Sequence, residues 1–247
     1  MHRWAARMNA ALAGRAIALA EAPTPRSPIH NRADELDGRE LERAEARGKH
    51  LIAHFSGGLA LHSHLGMNGR WFIDADGRRP YGRPWLVLGA GHAIASQKGC
   101  KLLRLVSESR ARNDPGLLQL GPDPLRPGFD AEAAAVRLLG AASGREIGDA
   151  LLDQRIIAGI GNAIRTEGCF QARIDPWRKV DDLEVEEAVR LVRANERVMR
   201  ISLAKGRRPR SIYRAASRGC PRCGTRIRSR GQGEANRIAY WCPECQA

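Results

Sequence analysis

Apolar residues at the start of the chain recur at helical spacing. Trp4, Met8, Ala11 and Leu12 share one face of a helix over 2–12, and Gly14 stands where a left-handed C-terminal cap belongs. Residues 22–28 are proline-rich and polar, and read as a loop. The period then changes to two. Leu51, Ala53 and Phe55 alternate with His50, Ile52 and His54, Ser56-Gly57-Gly58 turns the chain, and Leu59, Leu61, Ser63 and Leu65 alternate with Ala60, His62 and His64. That pattern predicts a hairpin of half-buried strands. Short strands follow at 71–73, 85–88, 92–95 and 101–106, separated by Gly and Pro turns. An antiparallel sandwich behind one leading helix accounts for this half.

Pro115, Pro122, Pro124 and Pro127 mark 113–129 as a linker. Beyond it the pattern is helical, over 131–139, 146–154, 162–171 and 183–205. A short cysteine-bearing unit, 219–247, ends the chain, and no internal repeat is visible. The expected class is α+β, with domains at 1–112, 130–214 and 215–247.

Charge narrows the partners. Lys and Arg number 41 against 27 Asp and Glu, a net +14, which favours a polyanion. Between Arg200 and Arg237 there are twelve basic residues and one acid, Glu234. Gly, Pro, Ser and Cys interrupt them, so no apolar stripe lies beside the charges as a membrane-surface helix requires. Neither a membrane-spanning run nor a signal peptide is evident. A soluble intracellular protein that binds nucleic acid is expected.

Cys220-Pro-Arg-Cys223 and Cys242-Pro-Glu-Cys245 carry two thiol pairs on tight turns, with eighteen residues between the pairs. Together they can supply a tetrahedral four-sulfur zinc site with no open position, hence a structural ion. Two disulfides are the competing reading, and an intracellular protein rarely uses them. Cys100 and Cys169 stand apart and read as buried thiols. In the run 151–167, one helix ends near Ile157, a glycine turn follows, and Asn162 caps the next helix. Exposed amides at such a start can hold a phosphate. A dinucleotide loop is excluded because position 164 is Ile and a helix precedes the turn. A plain helix–turn–helix connection stays open on this segment alone.

These stretches resemble one family in order. LLDQRIIAGIGNAIRTE (151–167) is similar to the helix–two-turns–helix motif of the formamidopyrimidine-DNA glycosylase and endonuclease VIII family. The segment from Gly219 to Gln246 resembles its zinc finger, and ARGKHLIAHF and HSHLGMNGRW resemble two of its N-terminal strands. The resemblance covers nearly the whole chain. It implies an N-terminal helix and sandwich, a helical helix–two-turns–helix domain and a zinc-finger hairpin. It also implies a base-excision-repair glycosylase and abasic-site lyase working on damaged double-stranded DNA as a monomer. The protein would need one zinc and no small-molecule cofactor, and would work in the bacterial cytoplasm at the nucleoid.

Roles carried over by the resemblance are these. Lys49 contacts phosphate beside the lesion and donates a proton in β-elimination. Arg237 grips phosphates and assists δ-elimination. Asn162 binds phosphate, and Met67 fills the gap left by the flipped nucleotide. Such filling is required because a damaged base cannot be reached inside the duplex. The family's nucleophile is an N-terminal proline amine that attacks the sugar C1′ to form a Schiff base, followed by a glutamate.

Two departures matter. Family members begin Met-Pro-Glu-Gly-Asp-Thr, whereas this chain opens Met1-His2-Arg3-Trp4, already inside the first helix. The expectation is a start six residues upstream, a GTG valine codon having been taken for the initiator, and little activity without that segment. The second departure lies at 96–101, which lacks the Asp-Pro-Arg-Arg-Phe-Gly loop that contacts the orphaned base. With the short stretch 203–211, this leans toward the endonuclease VIII branch and oxidised pyrimidines. His62, His64 and His54 could offer three imidazoles to a metal, but satisfied polar contacts are preferred for want of a fourth ligand. Two further readings stand beside the enzyme: a non-catalytic binder of damaged or abasic DNA, and a zinc-ribbon RNA-binding protein.

Overall fold

The computed structural model describes residues 1–78 and 82–246. The chain divides into two compact units, 1–118 and 119–247. In the first, helix α1 (His2–Leu12) buries Ala5, Met8 and Leu12, and Gly14 beyond it is left-handed at φ +73°. Strands β1 (Arg15–Ala16), β2 (Leu19–Glu21), β3 (Glu40–Arg47), β4 (His50–Phe55), β5 (Leu59–His64), β6 (Arg70–Asp74), β7 (Leu86–Ala90), β8 (Ala93–Lys98) and β9 (Leu102–Ser107) follow. They form two antiparallel sheets, β1-β3-β4-β5-β9 and β2-β7-β8-β6. α1 packs against strands of both sheets, so Met8 and Leu12 join Leu51, Phe55, Leu61, Trp71 and Leu88 in one core. Each such side chain contributes about 1.5–3 kcal/mol by leaving water.

The central hairpin departs from the half-buried expectation. His54 and His62 are as buried as Leu51 and Leu61. α2 (Glu108–Arg112) packs on β5 and β9, and Glu108 hydrogen-bonds His54. Both faces of β4 and β5 are therefore covered, and histidines can alternate inside because polar partners meet them. β3 was not foreseen. Its register shifts between Leu41 and Arg43, so Leu41, Ala44 and Ala46 do not keep a strict period of two. Asn9 holds the irregular strand, donating to the Ala44 carbonyl at 2.8 Å and accepting from its amide at 2.6 Å.

In the second unit α4 (Ala131–Ala141) starts at Asp130, whose carboxylate caps the Glu132 and Ala133 amides. The helix expected over 146–154 shrinks to the single turn α5 (Ile147–Ala150). Side chains there outcompete the helix. Arg145 ties Asp149 and Asp153 together, Asp153 accepts from the Arg155 amide, and Gln154 bridges the Gly159 amide to the Ile160 carbonyl. α6 (Asn162–Ala172) and the capping-boxed α7 (Val185–Lys205) follow and pack on each other. The N-cap of α6 is Gly161, not Asn162. β10 (Arg228–Gln232) and β11 (Arg237–Trp241) form the terminal hairpin. α3 (Pro115–Leu118) closes the first unit.

Candidate nucleic-acid interface

Four sulfurs gather at the base of the terminal hairpin. Sγ separations are 3.5 Å for Cys223–Cys242, 3.4 Å for Cys245–Cys223 and 3.9 Å for Cys220–Cys245. A tetrahedron of sulfurs at about 2.3 Å from a zinc has edges of about 3.8 Å, so the spacing suits a metal without rearrangement. Among the described residues this is the group of His, Cys, Asp and Glu close enough to hold an ion. Each pair stands on a tight turn, and the chain between them is the β10–β11 hairpin. Cys169 is buried, which pushes its thiol up to about 12, and burial pushes half-buried Cys100 to about 11. Both stay protonated and inert.

Asn162 opens α6 but does not cap it. Its Nδ2 donates to the Ile238 carbonyl of β11 at 3.0 Å, and its Oδ1 accepts from Arg165. The helix start and the strand bearing Arg237 are thus joined, with Arg237 exposed. Arg165 is the fastener. It is 1% exposed, and donates to Gln232 Oε1 at 2.6 Å, Gly148 O at 3.2 Å and Ile238 O at 3.1 Å. Gln232 turns its amide nitrogen to Glu146 and the Pro176 carbonyl. Arg228 and Arg230 of the facing strand are exposed, Arg230 stacking 3.9 Å from the Trp177 ring centroid. This surface offers cations and a side-chain amide on a braced frame, which suits a phosphate backbone.

In the first unit, Lys49 lies in the turn between β3 and β4, made by Gly48 at φ +55°. His50 pairs with His64 across the hairpin, so that turn and the Leu65–Met67 segment share one end of the sheet. Met67 is 83% exposed, an unusual state for so large an apolar side chain. The histidines arrange themselves otherwise than expected. His54 lies between carboxylates, with Nδ1 2.7 Å from Glu108, whereas His50, not His54, meets His62 and His64. In the segment 96–101, Ser96 to Lys98 complete β8, leaving only a short turn. α7 runs on to Lys205, so only Gly206–Arg210 separate it from Ser211.

Two family models match this chain, the formamidopyrimidine-DNA glycosylase N-terminal domain over 1–100 and the helix–two-turns–helix domain of the same enzymes over 120–212. A probable endonuclease 8 2 of Streptomyces coelicolor is 37% identical over 98% of this chain and 91% of its own length. The chain belongs to the formamidopyrimidine-DNA glycosylase and endonuclease VIII family. An endonuclease 8 1 of Mycobacterium tuberculosis is 32% identical over 100% of this chain and 97% of that protein. The DNA-(apurinic or apyrimidinic site) lyase Nei2 of Mycolicibacterium smegmatis is 31% identical over 98% and 95%. In fold, the chain resembles the Lactococcus lactis glycosylase solved with abasic-site DNA. The TM-score is 0.83 at 22% identity, covering 99% of this chain and 97% of that one.

Within the family frame, sequence reasoning passed over Arg165, Gln232 and Glu167. Glu167 is fully buried on α6 and accepts from the amides of Ser211, Ile212 and Tyr213 at 2.9, 3.0 and 2.8 Å. It pins the segment leaving α7. A signal was present: charged residues at 165 and 167 interrupt an otherwise apolar stretch, and buried charges need built partners.

Proposed function

We propose that this chain is a DNA glycosylase and abasic-site lyase of base excision repair, acting on oxidised bases with pyrimidines favoured. The observation that carries the reading is the joint of Asn162 to the Ile238 carbonyl at 3.0 Å, which brings a helix start and the strand of Arg237 onto one surface. Asn162 and Arg237 grip phosphates there, and Lys49 does so at the end of the β3–β4 hairpin. Met67, already held in solvent, enters the space vacated by the extruded nucleotide. The family's amine nucleophile is the proline of a Met-Pro-Glu-Gly-Asp-Thr start, a motif these 247 residues do not contain. Lys49 and Arg237 supply protons for β- and δ-elimination. The cysteine cluster holds zinc, whose part is to keep the hairpin in shape. The short turn at 99–101 and the brief 206–210 segment leave little reach over an oxidised purine, which supports the pyrimidine preference. In this reading the protein works as a monomer at the nucleoid. Among the described residues no helix is long and apolar enough to cross a membrane.

Borohydride trapping on abasic-site duplex tests the activity. The 247-residue chain and one preceded by Met-Pro-Glu-Gly-Asp-Thr are compared. A covalent band with the extended chain, lost when its proline is replaced, is the expected result. Tight binding to abasic DNA with no band from either chain would replace the enzyme with a non-catalytic binder.

A further inference from the structure

Three imidazoles meet at the end of the sheet that carries Lys49, and their hydrogen bonds fix where each proton sits. Arg104 directs Nε and an Nη at His62 Nδ1, at 3.3 and 3.0 Å. A guanidinium only donates, so Nδ1 of His62 is bare and its hydrogen is on Nε2. That Nε2 lies 2.8 Å from His50 Nδ1, which must therefore accept, leaving His50 with its hydrogen on Nε2. His64 reaches the same state separately, its Nδ1 accepting from the Gly66 amide at 3.1 Å. Asp114 anchors the chain by pairing with Arg104.

The rings are also kept neutral. Burial, then the neighbouring imidazoles, depresses His50 to about 3, with Arg104 adding to and Asp114 opposing the effect. His62 falls to about 4 through burial and Arg104, again against Asp114. His64 is lowered by burial, Lys101 and Lys49. A neutral imidazole offers one donor only, so which nitrogen holds the hydrogen decides what it can bind. His50 and His64 are half-buried cross-strand partners with ring centroids 4.7 Å apart.

We propose that His50 is a further DNA-phosphate donor beside Lys49, and that His62 and Arg104 are positioning residues which lock its hydrogen onto Nε2. The ligand is a phosphodiester oxygen, an acceptor that a bare Nε2 would repel. The proposal rests on the reading of Lys49 as a DNA-facing residue.

Long-range nitrogen–proton correlation spectra of the full wild-type chain read the tautomers without any substitution. Hydrogen on Nε2 of His50, His62 and His64 at neutral pH is expected; an Nδ1-protonated or charged His50 overturns the proposal. Binding to duplex carrying a tetrahydrofuran abasic analogue is then measured by anisotropy at fixed salt. His50→Phe should weaken it about tenfold or more, the worth of one hydrogen bond to an anion. His50→Gln, whose amide nitrogen falls near Nε2, should recover most of that. Arg104→Met should weaken binding by less than His50→Phe does, since the unlocked His50 still donates from Nε2 part of the time, and the double variant should be no worse than His50→Phe alone. Additive losses, or no rescue by His50→Gln, overturn the proposal. Lys49→Ala separates the two claims: full-strength binding by that variant sinks the DNA-facing reading itself, whereas a loss there with none for His50→Phe sinks only the role of His50.

Discussion

His54 sits between two carboxylates, with Nδ1 2.7 Å from Glu108 and Nε2 3.5 Å from Glu45. Burial opposes its charge, yet the Glu45 and Glu108 carboxylates on either side outweigh burial and leave its pKa raised. Glu45 is held down at about 2, first by His54 and, against burial, by Arg47. The signs follow from linkage. Stabilisation through His54 is complete below about 6.5, its unfolded value, and fades as pH rises through the folded one. Stabilisation through Glu45 is present above its ordinary value near 4.5 and fades as pH falls toward about 2. The pair therefore contributes most between about 4.5 and 6.5. Thermal melts of wild type and His54→Gln from pH 5 to 9 should converge as pH rises. A gap that does not change with pH would refute this account.

Arg165 poses the residue-scale question in another form. It reaches Gln232, Asn162 and three backbone carbonyls from a fully buried position. Arg165→Met leaves Gln232 Oε1 and Asn162 Oδ1 without that donor, at a cost of roughly 2–4 kcal/mol. Urea denaturation of the second unit should register the loss, and amide exchange should quicken first in β10 and β11. Unchanged hairpin protection would show that Arg165 does not brace it.

Periodicity was most readable where an element buries one face and keeps a regular backbone. α1 and α7 are of this kind; α6 and the β4–β5 hairpin are regular in backbone but buried on nearly every side. β3 was hidden by its bulge and by small alanines in place of branched side chains. The helix expected over 146–154 looked regular in pattern, but Arg145, Asp153 and Gln154 divert the backbone into turns that no apolar period records. The cysteine pairs were legible from spacing, and so was a helix start at 162, though its cap is Gly161 rather than Asn162; the braces were not, because Arg165 and Gln232 are 67 residues apart. Close helix packing was equally invisible. A Cβ at Gly168 would overlap the Asn195 amide on α7, whereas one at Gly140 on α4 meets nothing within 4 Å. Gly168→Ala should cost about 1–3 kcal/mol, and Gly140→Ala should be neutral or stabilise by up to about 1 kcal/mol. Chemical denaturation of the pair decides it: equal shifts would mean that α6 and α7 have room to spare.

Charge is distributed unevenly over the whole molecule, and its most basic region is also the one with the smallest core. Twelve of the 41 basic residues fall between Arg200 and Arg237, yet the terminal hairpin packs around only Phe170, Ile212, Cys220, Ile227 and Cys242. Two of those five are metal-ligand candidates. So small a cluster cannot offset the chain entropy of about 30 residues, and an ion bound by the four cysteines would carry the difference. The first unit has its own large core and needs no such support. Chelation should therefore separate two properties of the protein. Amide protection in β10 and β11 should vanish while that of β4 and β5 persists, and affinity for abasic-site duplex should fall. The slope of log K against log salt should shrink by about 0.9 for each phosphate contact that the hairpin supplied, Arg237→Ala alone accounting for one such step. Restoring zinc should recover both. A hairpin that stays protected after complete metal removal would mean that packing and the Arg165 brace suffice, and that the cysteines are not what hold the arginines toward DNA.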